Sequence, residues 1–141
     1  MPVLGVIPAR LGSTRLPRKP LQLIGGVPLV VRVAQRAAEV GVIDALVVAT
    51  DSDEIAAVAR AAGISAVLTS PDHESGTDRV AEVARRAEYA GFDIVVNIQG
   101  DEPFLSPAAL AGAVGQVRAG FDIGTAAGMV MGDAAESPTL V

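Results

Sequence analysis

The stretch that decides the fold is VLGVIPARLGSTRLPRKPL, residues 3–21, in which an apolar run passes into a basic loop. The apolar run at residues 3–7 ends at Pro8 and is typical of a buried parallel strand. Glycine, serine, threonine and proline then interrupt both helical and strand patterns. The loop therefore holds four of the chain's eleven Lys and Arg residues within ten positions: Arg10, Arg15, Arg18 and Lys19.

Apolar runs alternate with helical patterns along the rest of the chain. Strands are predicted at residues 3–7, 45–49, 64–68, 93–98 and 123–131. The helix after the first loop is predicted to start at Pro28, end at Gly41 and turn four apolar residues inward: Val30, Val33, Ala34 and Ala37. Further helices are predicted after residues 52, 77 and 106. This alternation indicates an α/β fold in one domain, residues 1–141, with a mostly parallel sheet and helices on both faces.

In such a sheet the ligand lies beyond the carboxyl ends of the strands. Polar loops at residues 10–19, 69–79 and 99–102 should all reach that edge. We therefore expect these three loops to converge on one site.

Composition excludes several other classes of protein. The chain has 141 residues, half of them hydrophobic, and a net charge of −5, which argues against broad nucleic-acid binding. No apolar run reaches the roughly 18 residues of a membrane span, and the N-terminus lacks the order of a signal peptide. There is no cysteine. A cytoplasmic protein without nucleic-acid or membrane partners is expected.

The basic loop has the chemistry of a phosphate site. It is neither the G-x-G-x-x-G dinucleotide fingerprint nor a Walker loop. Gly12 would let the backbone approach a phosphate, Ser13 and Thr14 can donate hydrogen bonds, and Arg15 and Lys19 supply charge. A solvated face is the alternative interpretation of any charge cluster, but the prolines and glycines here favour a shaped loop.

Three segments carry a family resemblance: IPARLGSTRLPRKPL at 7–21, DHESGTDRVAEV at 72–83 and VVNIQGDEP at 95–103. Together they resemble the sugar-activating nucleotidyltransferases, most closely the CMP-KDO synthetases (KDO is 3-deoxy-manno-octulosonate). The resemblance implies a Rossmann-like nucleotidyltransferase sheet. It also implies the reaction of CTP with KDO, a 2-keto sugar acid, to give CMP-KDO and pyrophosphate for lipopolysaccharide synthesis.

The resemblance also implies residue roles. Arg10, Arg15 and Lys19 match triphosphate-binding positions, and Gln99 matches a position that touches the sugar acid. Asp101 matches a Mg²⁺ ligand, and Mg²⁺ prefers hard oxygen donors. Arg15, Lys19 and Asp101 form the implied catalytic group. The implied nucleotide site consists of Pro8, Ala9, Arg10, Ser13, Arg15, Lys19, Ser75, Gly76, Thr77, Asp78 and Arg79.

Chains of this family continue well beyond the position that matches Val141. The remaining part supplies a second metal-binding aspartate, most of the KDO pocket and the interface of a homodimer. We therefore expect this chain to be the N-terminal portion of a longer protein. Three alternatives to this function remain. The chain could be a non-catalytic or truncated CTP-binding module, or a related cytidylyltransferase whose acceptor is sialic acid or an amino analogue of KDO. It could also be a dinucleotide-dependent oxidoreductase, but the absence of the G-x-G-x-x-G fingerprint argues against that class.

Other polar residues have simpler interpretations. His73, the single histidine, is predicted to be an exposed loop residue and not a catalytic base. Asp51 and Asp53 are predicted to cap a helix and not to bind a metal. Arg85 and Arg86 are predicted to form a solvated helix face. Residues 101–103 could simply end a strand and have no role in binding. Arg18 could likewise lie in the basic loop without contacting a ligand.

Overall fold

The computed structural model describes residues 2–11, 19–39, 41–73, 75–99, 108, 111–112 and 139–140. The helix predicted after residue 106 lies mostly outside these residues, and the strand predicted at 123–131 lies entirely outside them. The described strands are β1 (Val3–Ala9), β2 (Leu23–Ile24), β3 (Val27–Pro28), β4 (Ala45–Thr50), β5 (Ser65–Leu68), β6 (Ile94–Asn97) and β7 (Thr139–Leu140). The described helices are α1 (Leu29–Ala38), α2 (Asp53–Ala61) and α3 (Gly76–Ala84), with short 3-10 turns at Lys19–Leu21 and Ala87–Tyr89.

Within the described residues the main sheet has five strands in the order β5-β4-β1-β6-β7, and every neighbouring pair among them is parallel. The predicted parallel α/β sheet is therefore confirmed. Strand β7 pairs with the start of β6, with Thr139 opposite Ile94. It was not predicted, because two residues are too few to show a strand period.

Helices cover both faces of this sheet, as predicted. On β1, Val3 and Ile7 belong to a buried cluster with α1 and α2. The alternate residues Leu4 and Val6 belong to a second buried cluster with α3. This separation follows from the two-residue period of a strand, which sends successive side chains to opposite faces.

Helix α1 buries the four predicted residues Val30, Val33, Ala34 and Ala37 completely. Its predicted limits were wrong, because Pro28 precedes the first helical residue and the helix ends at Ala38, well before Gly41. In the chain before α1, β2 and β3 form an antiparallel hairpin. Its turn uses Gly25 and Gly26 at φ 61° and 83°, the positive values that a two-residue hairpin turn requires.

Strand β1 continues through Pro8 to Ala9, whereas the sequence predicted that it would end at Pro8. Pro8 is aligned with Ala49 of β4. The even-numbered residues of β1 direct their backbone groups toward β6, as Val6 does when its carbonyl oxygen accepts from Ile98 N–H at 2.9 Å. Pairing with β6 stops at Val6, and Pro8, the next residue of β1 that faces β6, has no N–H with which to continue it.

Helix α2 begins at a serine cap. Ser52 Oγ accepts a hydrogen bond from Ile55 N–H at 3.2 Å, so Ser52 and not Asp51 or Asp53 is the capping residue. Asp53 still lies in the first turn, where its carboxylate interacts favourably with the helix dipole. Among the described residues, no helix is both long enough and apolar enough to cross a membrane.

Candidate nucleotide-binding site

The carboxyl ends of β1 and β6 lie side by side where the strand order reverses. From β1 the chain adds β4 and then β5 on one side, after which β6 is added on the other side. In open α/β sheets, ligands bind in the crevice at such a reversal. Gln99, implied to touch the sugar acid, follows β6 at this edge and is exposed.

A cavity of about 190 Å³ lies at this edge. Residues from two of the three predicted loops, 10–19 and 69–79, meet in it, whereas Gln99, the one described residue of the third loop, is not part of its described lining. The first side, here called the β1 wall, consists of Pro8, Ala9 and Arg10. The second side, here called the α3 wall, consists of His73, Ser75, Gly76 and Arg79.

The first turn of α3 packs directly against the β1 wall. Ser75 caps the helix, its Oγ accepting a hydrogen bond from Asp78 N–H at 3.2 Å. A Cβ added at Gly76 would lie 3.1 Å from Pro8 Cγ, so glycine permits this close approach. The amino end of α3 thus borders the cavity with its partial positive charge, which favours an anionic ligand.

Two arginines line the cavity in opposite environments. Arg10, at the end of β1, is exposed. Arg79, on α3, is 2% exposed, and its Nη1 donates to Thr69 Oγ1 and to Ser70 O (3.1 Å). Arg79 was implied to sit beside the nucleotide; it does line the cavity, and it also braces the loop that precedes α3.

Glu82 organises the α3 wall, a role that no pattern in the sequence indicates. Its carboxylate accepts hydrogen bonds from Ser70 N–H at 2.9 Å, from His73 Nε2 at 2.8 Å and from Arg86 Nη2 at 2.6 Å. Burial alone would raise the pKa of Glu82, but these three donors outweigh it and lower the pKa from 4.5 to about 2. Glu82 therefore stays ionised and holds residues 70–73 against α3.

Two predictions about this region were wrong. The His73 side chain is only 20% exposed, because it pairs with Glu82. Arg86 is not part of a solvated face, because it bonds both Glu82 and the carbonyl oxygen of Leu68. Arg85, in contrast, is exposed as predicted.

The remaining implied site residues lie in three places. Thr77 and Asp78 are in the first turn of α3, outside the described lining of the cavity. Lys19 opens the 3-10 turn after the basic loop and is likewise outside that lining. Ser13, Arg15 and Asp101 fall outside the described residues.

Asn97, the last residue of β6, is a further polar group at this edge. It is 8% exposed and alternates with Val96 and Ile98, so it points to the face that α3 covers. Among the described residues, its Oδ1 has no hydrogen-bond partner. A buried unpaired carbonyl oxygen is uncommon and costs stability.

The described residues alone contain no group of three His, Asp or Glu side chains placed to hold a metal ion. Asp51 and Asp53 do not form part of such a group among the described residues.

A mostly parallel sheet with a polar cavity at its strand-order reversal is the architecture of a nucleotide-binding α/β protein. The sequence model of the family described as cytidylyltransferase matches residues 4–139. The chain belongs to the cytidylyltransferase family.

Individual relatives show which cytidylyltransferases the chain resembles. The chain is 58% identical, over its whole length, to a 3-deoxy-manno-octulosonate cytidylyltransferase of Gemmatimonas aurantiaca, of which it covers 55%. It is 56% identical over 75% of its length to the protein of that name from Wolinella succinogenes, of which it covers 42%. The chain thus spans about half the length of the curated relatives it matches.

Solved structures agree with these relatives. The chain resembles a CMP:2-keto-3-deoxy-manno-octonic acid synthetase complexed with CTP, with a TM-score of 0.79 and 41% identity. That match covers 85% of this chain and 48% of the other. A cytidylyltransferase from Leptospira borgpetersenii gives a TM-score of 0.71 at 26% identity, covering 87% of this chain and 52% of its own.

Proposed function

We propose that the protein carrying this chain is a 3-deoxy-manno-octulosonate cytidylyltransferase. It would transfer CMP from CTP to KDO and release pyrophosphate. The observation that carries the proposal is the cavity in which the end of β1, with Arg10, meets the amino end of α3. The names of relatives at 53–58% identity and of the CTP-bound structure support the choice of substrates.

The reaction is an in-line displacement at the α-phosphorus of CTP. A bond forms between the anomeric oxygen of the sugar acid and the α-phosphorus, the bond to pyrophosphate breaks, and the hydroxyl proton is released. Arg15 and Lys19 would neutralise the charge that grows on the leaving phosphates. Arg10 would hold the triphosphate, and Gln99 would contact the sugar acid. Binding and orientation then account for most of the rate, because phosphoryl transfer needs little covalent help from the protein.

Mg²⁺ is the proposed cofactor, with Asp101 as its ligand. One carboxylate together with phosphate oxygens is a donor set that suits Mg²⁺. Because Asp101 follows β6 in the sequence, we expect it at the same edge of the sheet as the cavity. When bound, the ion would neutralise phosphate charge and orient the reactants. We further propose that the whole protein acts in the cytoplasm, as a homodimer, in the supply of activated KDO for lipopolysaccharide.

Pyrophosphate release tests the proposed function. The protein should release pyrophosphate from CTP when KDO and Mg²⁺ are present, and much less when UTP replaces CTP. Sialic acid and an amino analogue of KDO serve as the competing acceptors. If pyrophosphate release is faster with either of them than with KDO, that compound and not KDO is the acceptor. Magnesium-dependent CTP binding without release from any acceptor would favour a non-catalytic CTP-binding module.

A further inference from the structure

Strand β5 is the outermost strand on its side of the main sheet within the described residues, where it pairs with β4 alone. A strand in this position leaves every second backbone N–H and C=O group without a strand partner. Such an edge can bind any extended segment that aligns with it, including the same strand of a second copy of the chain. The groups that lie along this edge therefore bear on how the protein assembles.

The outward-facing backbone groups of β5 belong to Ala66 and Leu68. Thr69, which follows the strand, donates its N–H to Thr50 O of β4 at 2.9 Å, so Thr69 directs its backbone groups toward β4. Because this direction alternates along a strand, Ala66 and Leu68 direct their N–H and C=O groups away from β4, toward the edge. The Leu68 side chain is also 44% exposed, and exposed apolar side chains on an edge strand favour association.

Arginine side chains occupy both of these outward carbonyl groups. Arg60 Nη2 donates a hydrogen bond to the carbonyl oxygen of Ala66 at 2.9 Å. Arg86 Nη2 donates to the carbonyl oxygen of Leu68. A strand that added to β5 would need the same two oxygens as acceptors for its own N–H groups. It would therefore have to displace both guanidinium groups before it could pair.

The two arginines come from opposite faces of the sheet. Arg60 lies in the last turn of α2, which packs on one face through Ile55. Arg86 follows α3, which packs on the other face through Val80. Each face thus contributes one cation to the edge, and the two cover successive outward carbonyl groups of the same strand.

The chemistry of these contacts favours the arginines over a competing strand. Hydrogen bonds from a charged donor are about twice as strong as those from a neutral peptide N–H. Arg86 is held further by Glu82, whose Oε2 accepts from Nη2 at 2.6 Å, and its side chain is only 29% exposed. A strand that displaced Arg86 would have to break this ion pair as well or leave it rearranged.

We propose that Arg60 and Arg86 close the β5 edge against pairing with a second copy of this chain. Their guanidinium groups fill the acceptors that strand pairing needs and cover the edge with charged side chains, a protection that sheet edges require. Any assembly of the whole protein then uses another surface. This role does not depend on nucleotide binding.

The test removes both arginines and measures the assembly of the whole protein by sedimentation velocity. Arg60→Ala combined with Arg86→Ala should form species of at least about twice the mass of the unmodified protein, in an amount that grows with protein concentration. Arg36→Ala combined with Arg85→Ala is the matched control. It removes the same charge from exposed positions but leaves both carbonyl groups of β5 covered, so its mass should not change.

Hydrogen exchange shows whether the association uses the β5 edge. The outward N–H groups of Ala66 and Leu68 should exchange quickly in the unmodified protein and at least about tenfold more slowly in the associated double variant. Adding Leu68→Lys to the double variant places a charge on the edge and should restore the mass of the unmodified protein.

A core substitution separates edge pairing from aggregation of a destabilised protein. Val83→Ala truncates a fully buried side chain of α3 without removing an arginine, so it should lower stability without causing association. Association of Val83→Ala to the same extent as the arginine variant would overturn the inference. An unchanged mass of the double variant, unchanged exchange at Ala66 and Leu68, or failure of Leu68→Lys to restore the mass would overturn it as well.

Discussion

The β1 wall and the α3 wall both line the cavity, but different interactions hold them in place. The β1 wall is the end of a strand, and its one described cation, Arg10, begins a loop whose sequence is rich in proline and glycine. The α3 wall is held by side chains of its own helix, with Arg79 and Glu82 bonding the loop that precedes them. Changes on the β1 wall should therefore affect the ligand, and changes behind the α3 wall should affect stability first.

The largest expected effect concerns the residues that the family resemblance implies to bind phosphate and Mg²⁺. Lys19→Ala and Asp101→Ala should each lower turnover at least ~100-fold, because each would remove a group that we propose to stabilise charge in the transition state. Pyrophosphate release measures the loss. Arg18→Ala is the matched control, since it removes a charge from the same loop without an implied role, and its turnover should stay near that of the unmodified protein. Full turnover in the Lys19 or Asp101 variant would reject that residue's assignment.

The two arginines that line the cavity allow a direct comparison of the walls. Arg79→Leu removes buried hydrogen bonds to Thr69 and Ser70 and should lower the free energy of unfolding by about 2–3 kcal/mol. Arg10→Leu, at an exposed position, should change that free energy by less than about 0.5 kcal/mol and weaken CTP binding instead. Urea unfolding and CTP titration of both variants check the pair. Equal losses of stability would show that the walls do not differ in this way.

Glu82 gives the α3 wall a dependence on pH. Its pKa is lowered from 4.5 to about 2, so its bonds stabilise the folded state above about pH 4.5 and this contribution is lost as the pH falls toward 2. At pH 7, Glu82→Gln should lower the free energy of unfolding by about 1–2 kcal/mol, a value reduced for the partial exposure of the carboxylate.

Measured at several pH values, the difference between the unmodified protein and Glu82→Gln should shrink as the pH decreases and disappear near pH 2. Arg85→Gln, which changes an exposed charge beside the cluster, should give a difference that is small over the same range. A Glu82→Gln difference that does not vary with pH would mean that the carboxylate's charge is not what stabilises this wall.

The contrast between the walls also explains what the sequence could predict. Parallel strands, helices on both faces and the approach of residues 10 and 75–79 follow from local periodicity and from the general geometry of α/β sheets. The contacts of Glu82 could not be predicted in this way, because they join residues up to twelve positions apart that only folding brings together. Pro8 was misjudged for a related reason: β1 continues past the proline by pairing with β4, a contact that only folding brings about.

The smallest expected effect has the opposite sign to the others. Asn97 is nearly as buried as Arg79, yet its Oδ1 has no partner among the described residues, whereas the guanidinium of Arg79 is hydrogen-bonded. Asn97→Val removes this unpaired oxygen and places a β-branched side chain in a strand. It should raise the free energy of unfolding by about 1 kcal/mol, because an unsatisfied buried acceptor costs stability that an apolar group of similar size does not. Val96→Ala, a truncation at the neighbouring buried position, is the control and should be destabilising. If urea unfolding finds Asn97→Val as destabilised as Val96→Ala, the oxygen must have a partner that stabilises the folded protein.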